Sequence, residues 1–215
     1  MTQPLPWLKP GLFIGGIAPG LSIVTSALRG TLAVDPIAEA LNRFGLLALI
    51  FVVATLCCSP LKKLIGWTWP MRIRRMLGVF AFGYALAHVL TYALFDQVAN
   101  LHAIARDILE RPFILVGFLA FGLLVPLAAT STNGMVRRLG FVRWQQLHRL
   151  IYPAALLVCL HFIWRVKRDL TEPAIYTSIV VALLLVRVAL RLRRPVPRAA
   201  ARSHSNPDPG SPGSG

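Results

Sequence analysis

The sequence predicts an all-α membrane protein, a bundle of six transmembrane helices with both termini on the cytoplasmic side. Three observations carry this. Hydrophobic residues make up 56% of the 215 and charged residues only 14%, where a soluble domain carries about a quarter charged. The apolar residues fall into blocks of about 20, the length needed to cross a bilayer core. The short pieces between the blocks divide the basic residues unequally, as membrane topology requires.

Taken in order, the first span covers 11–28 and is loosened by Gly15, Gly16, Pro19 and Gly20. The second covers 41–59 and is ended by Pro60, since proline cannot donate to the helical ladder. The third covers 73–95. The fourth begins at Pro112, a favourable first-turn position, and runs to 130. The fifth covers 147–164 and the sixth 174–192. In this topology sixteen basic residues, among them Lys62, Lys63, Arg74, Arg75, Arg137, Arg138, Arg143, Arg149 and Arg187, lie on the face that holds the termini. Seven basic residues lie on the other face, together with seven of the eight acids. The positive-inside rule makes the first face cytoplasmic. It also accounts for the net charge of +15 without any role for nucleic acid. No cleavable signal peptide is evident.

Residues 1–194 form one membrane domain. The remainder, 195–215, reads PVPRAAARSHSNPDPGSPGSG; it has no apolar periodicity and is expected to be a disordered cytoplasmic tail, with His204 inert within it. Cys57, Cys58 and Cys159 fall inside spans and make no CxxC pair, so they read as small core residues.

The candidate functional residues are histidines. An imidazole within a span costs free energy unless it has a partner, and neutral imidazole is a ligand of haem iron. Span three, running outward, places His88 in its outer half. Span five, also running outward, places His148 at the cytoplasmic boundary and His161 near the outer one, roughly 20 Å away at the helical rise. His88 and His161 therefore share a depth and can supply both axial ligands to one haem iron. The small residues Ala81, Gly83, Ala85 and Ala87 would leave room for a porphyrin face, although small residues also simply promote helix packing. A membrane histidine can instead be merely hydrogen-bonded to a neighbouring helix, and His148 can snorkel to water. On an ideal helix His148 and His161 point about 140° apart, unless Pro153 changes the winding. His102 is expected to be a solvated side chain in the outer loop.

Other chemistries lack their residues. The sequence has no HExxH, GxSxG, Walker or GxGxxG motif. The spans contain essentially no carboxylates, which a proton or ion pathway would need.

The ordered pieces TLCCSPLKKL, RRMLGVFAFGYALAHVLTY, RPFILVGFLAFGLLVPLAATST, RRLGFVRWQQLHRLIY and HFIWRVK, with Asp35-Pro36 before them, resemble the MsrQ (YedZ) family over residues 8–194. That family is the haem-binding membrane subunit of a periplasmic methionine sulfoxide reductase system and belongs with the ferric-reductase-like membrane cytochromes. Members of the wider group place two histidines on each of two helices, thirteen or fourteen residues apart, to stack two b-type haems. This sequence keeps His148 and His161 on one helix and His88 on the other, but has Arg74, next to Arg75, where the fourth histidine would stand. An arginine cannot ligate iron, yet it pairs well with haem propionates or a flavin phosphate. The alternative is that Arg74 and Arg75 only enforce topology.

The resemblance implies haem b and FMN as cofactors. It also implies a multi-pass protein of the cell inner membrane, electrons arriving from the quinone pool or a cytoplasmic flavin reductase, and delivery to a periplasmic molybdopterin-containing catalytic subunit that reduces methionine sulfoxide in oxidised proteins. The chain would then be an electron-transfer subunit with no sulfoxide-reducing site of its own. Two alternatives stand beside this reading: a free-standing transmembrane ferric or quinone reductase, and a non-redox scaffold or transporter.

Overall fold

The computed structural model describes residues 7–166 and 169–192; the proposed tail and His204 lie outside them. Among the described residues the regular structure is entirely helical, and six helical stretches are long and apolar enough to cross a membrane. They are α1 (Leu8–Leu28), α2 (Pro36–Leu64), α3 (Trp69–Thr91, continued by a π-helical turn Tyr92–Asp96), α5 (Pro112–Ala129), the stretch Phe141–Arg165, and α9 (Thr171–Leu192). Between them lie α4 (Leu101–Glu110) in one connection and α6 (Asn133–Leu139) in another.

Local chemistry sets the ends of these helices. The Asp35 carboxylate accepts from Ala38 N at 3.0 Å, and Pro36 follows at a position whose N–H would have no helical partner. Pro112 opens α5 as expected. Gly140, at φ +75°, makes the turn out of α6 that a side chain would resist.

In lipid there is no hydrophobic drive to bring helices together, so close contact depends on small side chains and polar links. The bundle follows this rule. Ala81, Ala154, Ala155 and Cys159 are almost fully buried where α3 and the fifth span meet Val52 and Leu56 of α2 and Val180 of α9. Helix α2 is the centre, with 44% of its most apolar window buried, against 11% for α1. Helix α1 is held through Tyr84, whose hydroxyl donates to Gly16 O (2.5 Å) and accepts from Gly20 N (3.0 Å). Leu21, Leu28, Leu119, Leu156, Leu185 and Val188 stay exposed, as a lipid-facing surface requires.

Three expectations need correction. Pro60 does not end α2, which continues to Leu64. A proline leaves the carbonyl four residues earlier without its donor, and here that carbonyl, Leu56 O, accepts from Arg187 Nη2 at 2.9 Å. Arg187 is therefore no peripheral topology marker, being only 7% exposed. The fifth span is not one regular helix: α7 (Phe141–Leu147) passes through a 3₁₀ turn (His148–Leu150) into α8 (Ile151–Arg165). The winding changes at that turn, and Pro153 sits in the first turn of α8, where it is tolerated. Finally, the connection between the third and fourth spans, expected as a loop, is helical: α4 is capped by Asn100, which accepts from Ala103 N at 3.1 Å. His102 on α4 is exposed, as expected.

Candidate functional site

His88 on α3 and His161 on α8 come together, their ring centroids 6.2 Å apart and their planes nearly perpendicular at 85°. The two rings are held in the same way. His88 Nδ1 lies 2.8 Å from Leu41 O on α2, and His161 Nδ1 lies 2.7 Å from Phe113 O on α5. A carbonyl only accepts, so each Nδ1 carries the proton and each Nε2 keeps its lone pair. Fixing the tautomer through the other nitrogen is how metal-ligating histidines are normally oriented.

One helical turn beyond each carbonyl stands a glycine. A Cβ on Gly45 would lie 3.1 Å from His88 Nδ1, and one on Gly117 would lie 2.7 Å from His161 Nδ1. Each imidazole thus occupies the space of a missing side chain, on α2 in one case and α5 in the other. Both rings line a cavity of about 590 Å³, together with Leu49, Ala85, Phe121, Leu124 and Val158. Asn42, Arg43, Arg111 and Arg165 also line it. Arg43 pairs with Glu39 and Arg111 with Asp107, while Arg165 donates to Asn42.

Two imidazole nitrogens on opposite sides of one metal ion, each bonded at about 2 Å, put the ring centres about 6 Å apart once the depth of the rings is added. The observed separation fits. Among the described residues no group of three His, Cys, Asp or Glu side chains could hold a metal, so this pair could provide two ligands.

The other predicted residues form a second cluster at the opposite end of the bundle. His148 does not join the first pair. Its Nδ1 lies 3.0 Å from Trp144 O, its ring packs on Trp144 at 4.0 Å, and its Nε2 is shielded with no partner, so it is not snorkelling to water. Arg75 donates to Asn133 and lies over the Trp144 ring, 5.7 Å from its centroid. Arg74 donates to Ser59 Oγ at 3.4 Å.

The small residues singled out around His88 play unequal parts. Ala85 lines the cavity and Ala81 is core, whereas a Cβ on Gly83 would meet nothing. The clearance comes from Gly45 and Gly117, which sequence reasoning missed. Nothing in one sequence links Gly117 to a histidine 44 positions away.

Six helices around a pair of neighbouring, tautomer-fixed imidazoles define a class of membrane protein. Residues 43–159 match the family described as the ferric reductase like transmembrane component. The chain is also 45% identical over 194 residues to the protein-methionine-sulfoxide reductase heme-binding subunit MsrQ of Deinococcus radiodurans, covering 89% of this chain and 96% of that one. It is 47% identical to the protein of the same name from Azospira oryzae (86% of this chain, 80% of that one) and 46% identical to that of Rhodospirillum rubrum (85% and 88%). The chain belongs to the MsrQ family, within the ferric-reductase-like transmembrane group.

Proposed function

We propose that this chain is the haem-binding, electron-transfer subunit of a methionine sulfoxide reductase system. His88 and His161 would be the residues that hold a b-type haem. The observation that carries the reading is their 6.2 Å ring separation, with both Nδ1 atoms tied to backbone carbonyls. The names of the relatives, each a heme-binding subunit, support it. Two protein ligands suffice for an ion whose remaining positions are filled by a macrocycle. When bound, haem supplies a one-electron carrier inside the membrane. The protein's part is to hold both imidazoles in the ligating tautomer, keep Gly45 and Gly117 clear of them, and shield the site with an apolar wall.

The charge distribution supports a cell inner-membrane protein with its basic face toward the cytoplasm. On that orientation the imidazole pair lies toward the periplasm, where a molybdopterin-containing catalytic subunit would receive electrons and reduce oxidised methionine. Electrons enter at the cytoplasmic end from the quinone pool or a flavin reductase. There His148, Arg74 and Arg75 hold a second carrier, FMN or a differently ligated haem. The shielded, partnerless Nε2 of His148 supports this.

The test is the reduced visible spectrum of the purified protein. A sharp low-spin band is expected in the wild type and should be lost in His88→Ala and in His161→Ala, while His102→Ala retains it. A wild-type protein without that band, or a His88→Ala variant that keeps it, would overturn the assignment.

A further inference from the structure

Helix α4 reads LHAIARDILE. At about 100° per residue its side chains fall into three arcs. Ala103, Ile104, Asp107 and Ile108 are half-buried, and Asp107 accepts from the Tyr92 hydroxyl at 3.1 Å, so this arc faces the bundle. His102, Arg106 and Glu110 are exposed and polar, with Arg106 and Glu110 paired at 3.1 Å. The third arc, Leu101, Ala105 and Leu109, is exposed and apolar, its leucines 79% and 83% exposed. Protein covers the first arc and water suits the second; neither suits the third.

Depth decides what covers it. No charged residue stands between Arg75 and Asp96. At the helical rise that run is roughly 30 Å, the thickness of a hydrocarbon core. With Arg75 at one boundary, Asp96 marks the other, and α4 begins just beyond it. The exposed apolar side of α3, Leu86, Leu90 and Leu94, leads along the chain through Phe95 and Val98 to Leu101. After Leu109 the chain enters α5, whose Leu115 and Leu119 are also exposed. The apolar arc of α4 thus joins two lipid-facing helices at the level of the headgroups.

We propose that α4 lies in the headgroup layer, at the end of the bundle opposite Arg74 and Arg75. Leu101, Ala105 and Leu109 are seated on the acyl chains, and His102, Arg106 and Glu110 are turned to water. A helix of this kind buries its apolar side about 5–10 Å into the headgroup–acyl boundary. The partner is a lipid surface recognised by its hydrocarbon rather than its charge, because Arg106 is already paired with Glu110. This seating reaches the cavity. Asp107, on the bundle side of α4, bonds Tyr92 and pairs with Arg111, and both line the cavity beside His88 and His161. The lipid surface thereby steadies the helix that holds two residues of the cavity wall. The proposal does not rest on what the cavity binds.

Spin labelling of the full chain in phosphatidylcholine nanodiscs, without any partner protein, tests this. Single nitroxides are attached through introduced cysteines, and the unsubstituted chain gives the background from Cys57, Cys58 and Cys159. Dissolved oxygen concentrates in lipid, whereas a nickel chelate stays in water. Labels on Leu101→Cys, Ala105→Cys and Leu109→Cys should be relaxed by oxygen and lose their response to nickel. Labels on His102→Cys and Arg106→Cys should show the reverse. Adding phosphatidylglycerol should leave the pattern unchanged. Should either leucine variant fail to fold, Ala105→Cys, midway along the arc, carries the same reading. The proposal is overturned if the first three labels respond to nickel as the other two do, which would make the arc a free surface in water. Shielding of those labels from both probes would mean that protein covers the arc, and would overturn it too. A pattern seen only with phosphatidylglycerol would likewise overturn recognition by hydrocarbon. The reduced spectrum of the same samples reports on His88 and His161 separately, so failure here is distinct from failure of the haem assignment.

Discussion

Gly117 of α5 and His161 of α8 are packed so tightly that a Cβ on residue 117 would lie 2.7 Å from the imidazole Nδ1. That nitrogen is already committed to Phe113 O, one turn earlier on the same helix. The ring therefore cannot retreat without breaking its hydrogen bond. His88 repeats the arrangement with Leu41 O and Gly45, at the looser distance of 3.1 Å.

Gly117→Ala should consequently displace His161 and weaken haem retention. Overpacking of this kind costs about 1–3 kcal/mol, equivalent to about 5- to 150-fold in affinity. Gly45→Ala should cost less. Gly83→Ala and Gly122→Ala, where an added Cβ meets nothing within 4 Å, should leave the haem-to-protein ratio unchanged. That ratio in purified protein is the measurement, and a Gly122→Ala effect equal to that of Gly117→Ala would contradict the packing argument.

The orientation predicted from charge can be read with a membrane-impermeant thiol reagent on intact cells. Cys57 is half-buried, and Cys58 and Cys159 are buried, so an exposed new thiol should stand out. His102→Cys, on the exposed face of α4, should label from outside. Lys63→Cys, near the end of α2, should label only after the membrane is opened. The reverse pattern would invert the direction of electron flow proposed here.

Tyr84→Phe should loosen α1 without touching the His88–His161 pair. Its hydroxyl bonds Gly16 O and Gly20 N, and α1 has few other buried contacts. Loss of a hydrogen-bonded link costs about 1 kcal/mol, so the unfolding midpoint should fall by about 2–4 °C while the reduced spectrum stays intact.

The spans and the His88–His161 pair were legible because they depend on short-range arithmetic. A run of about 20 apolar residues must cross the bilayer, and counting along two such runs places both histidines at one depth. The supporting structure was not legible because it depends on which helices face each other. Leu41 and Phe113 contribute only backbone, which any residue would supply, and Gly45 and Gly117 look like ordinary membrane glycines. Pro60 read as a helix end because the rule considers one helix, whereas the freed carbonyl of Leu56 is satisfied by Arg187 from α9, 131 positions away. The same bond explains why a basic residue counted toward topology proves to be buried in the bundle.

Arg74 and Arg75 are adjacent in sequence but differ in surroundings. Arg74 reaches Ser59 beside the buried Arg187, whereas Arg75 extends to Asn133 and the face of Trp144, the ring on which His148 packs. If the pair holds an anionic carrier, Arg74→Ala with Arg75→Ala should remove charge-assisted bonds worth about 1.5–3 kcal/mol each. Occupancy of the second carrier and the rate of reduction from the cytoplasmic side should both fall, while the low-spin spectrum of the His88–His161 pair persists and still responds to a small chemical reductant. Lys62→Ala with Lys63→Ala removes the same charge from the same end of the bundle, but both lysines are exposed, so neither quantity should change. Stopped-flow reduction and cofactor counting on the two double variants decide the matter; equal behaviour would make the arginines markers of topology and place the second carrier elsewhere.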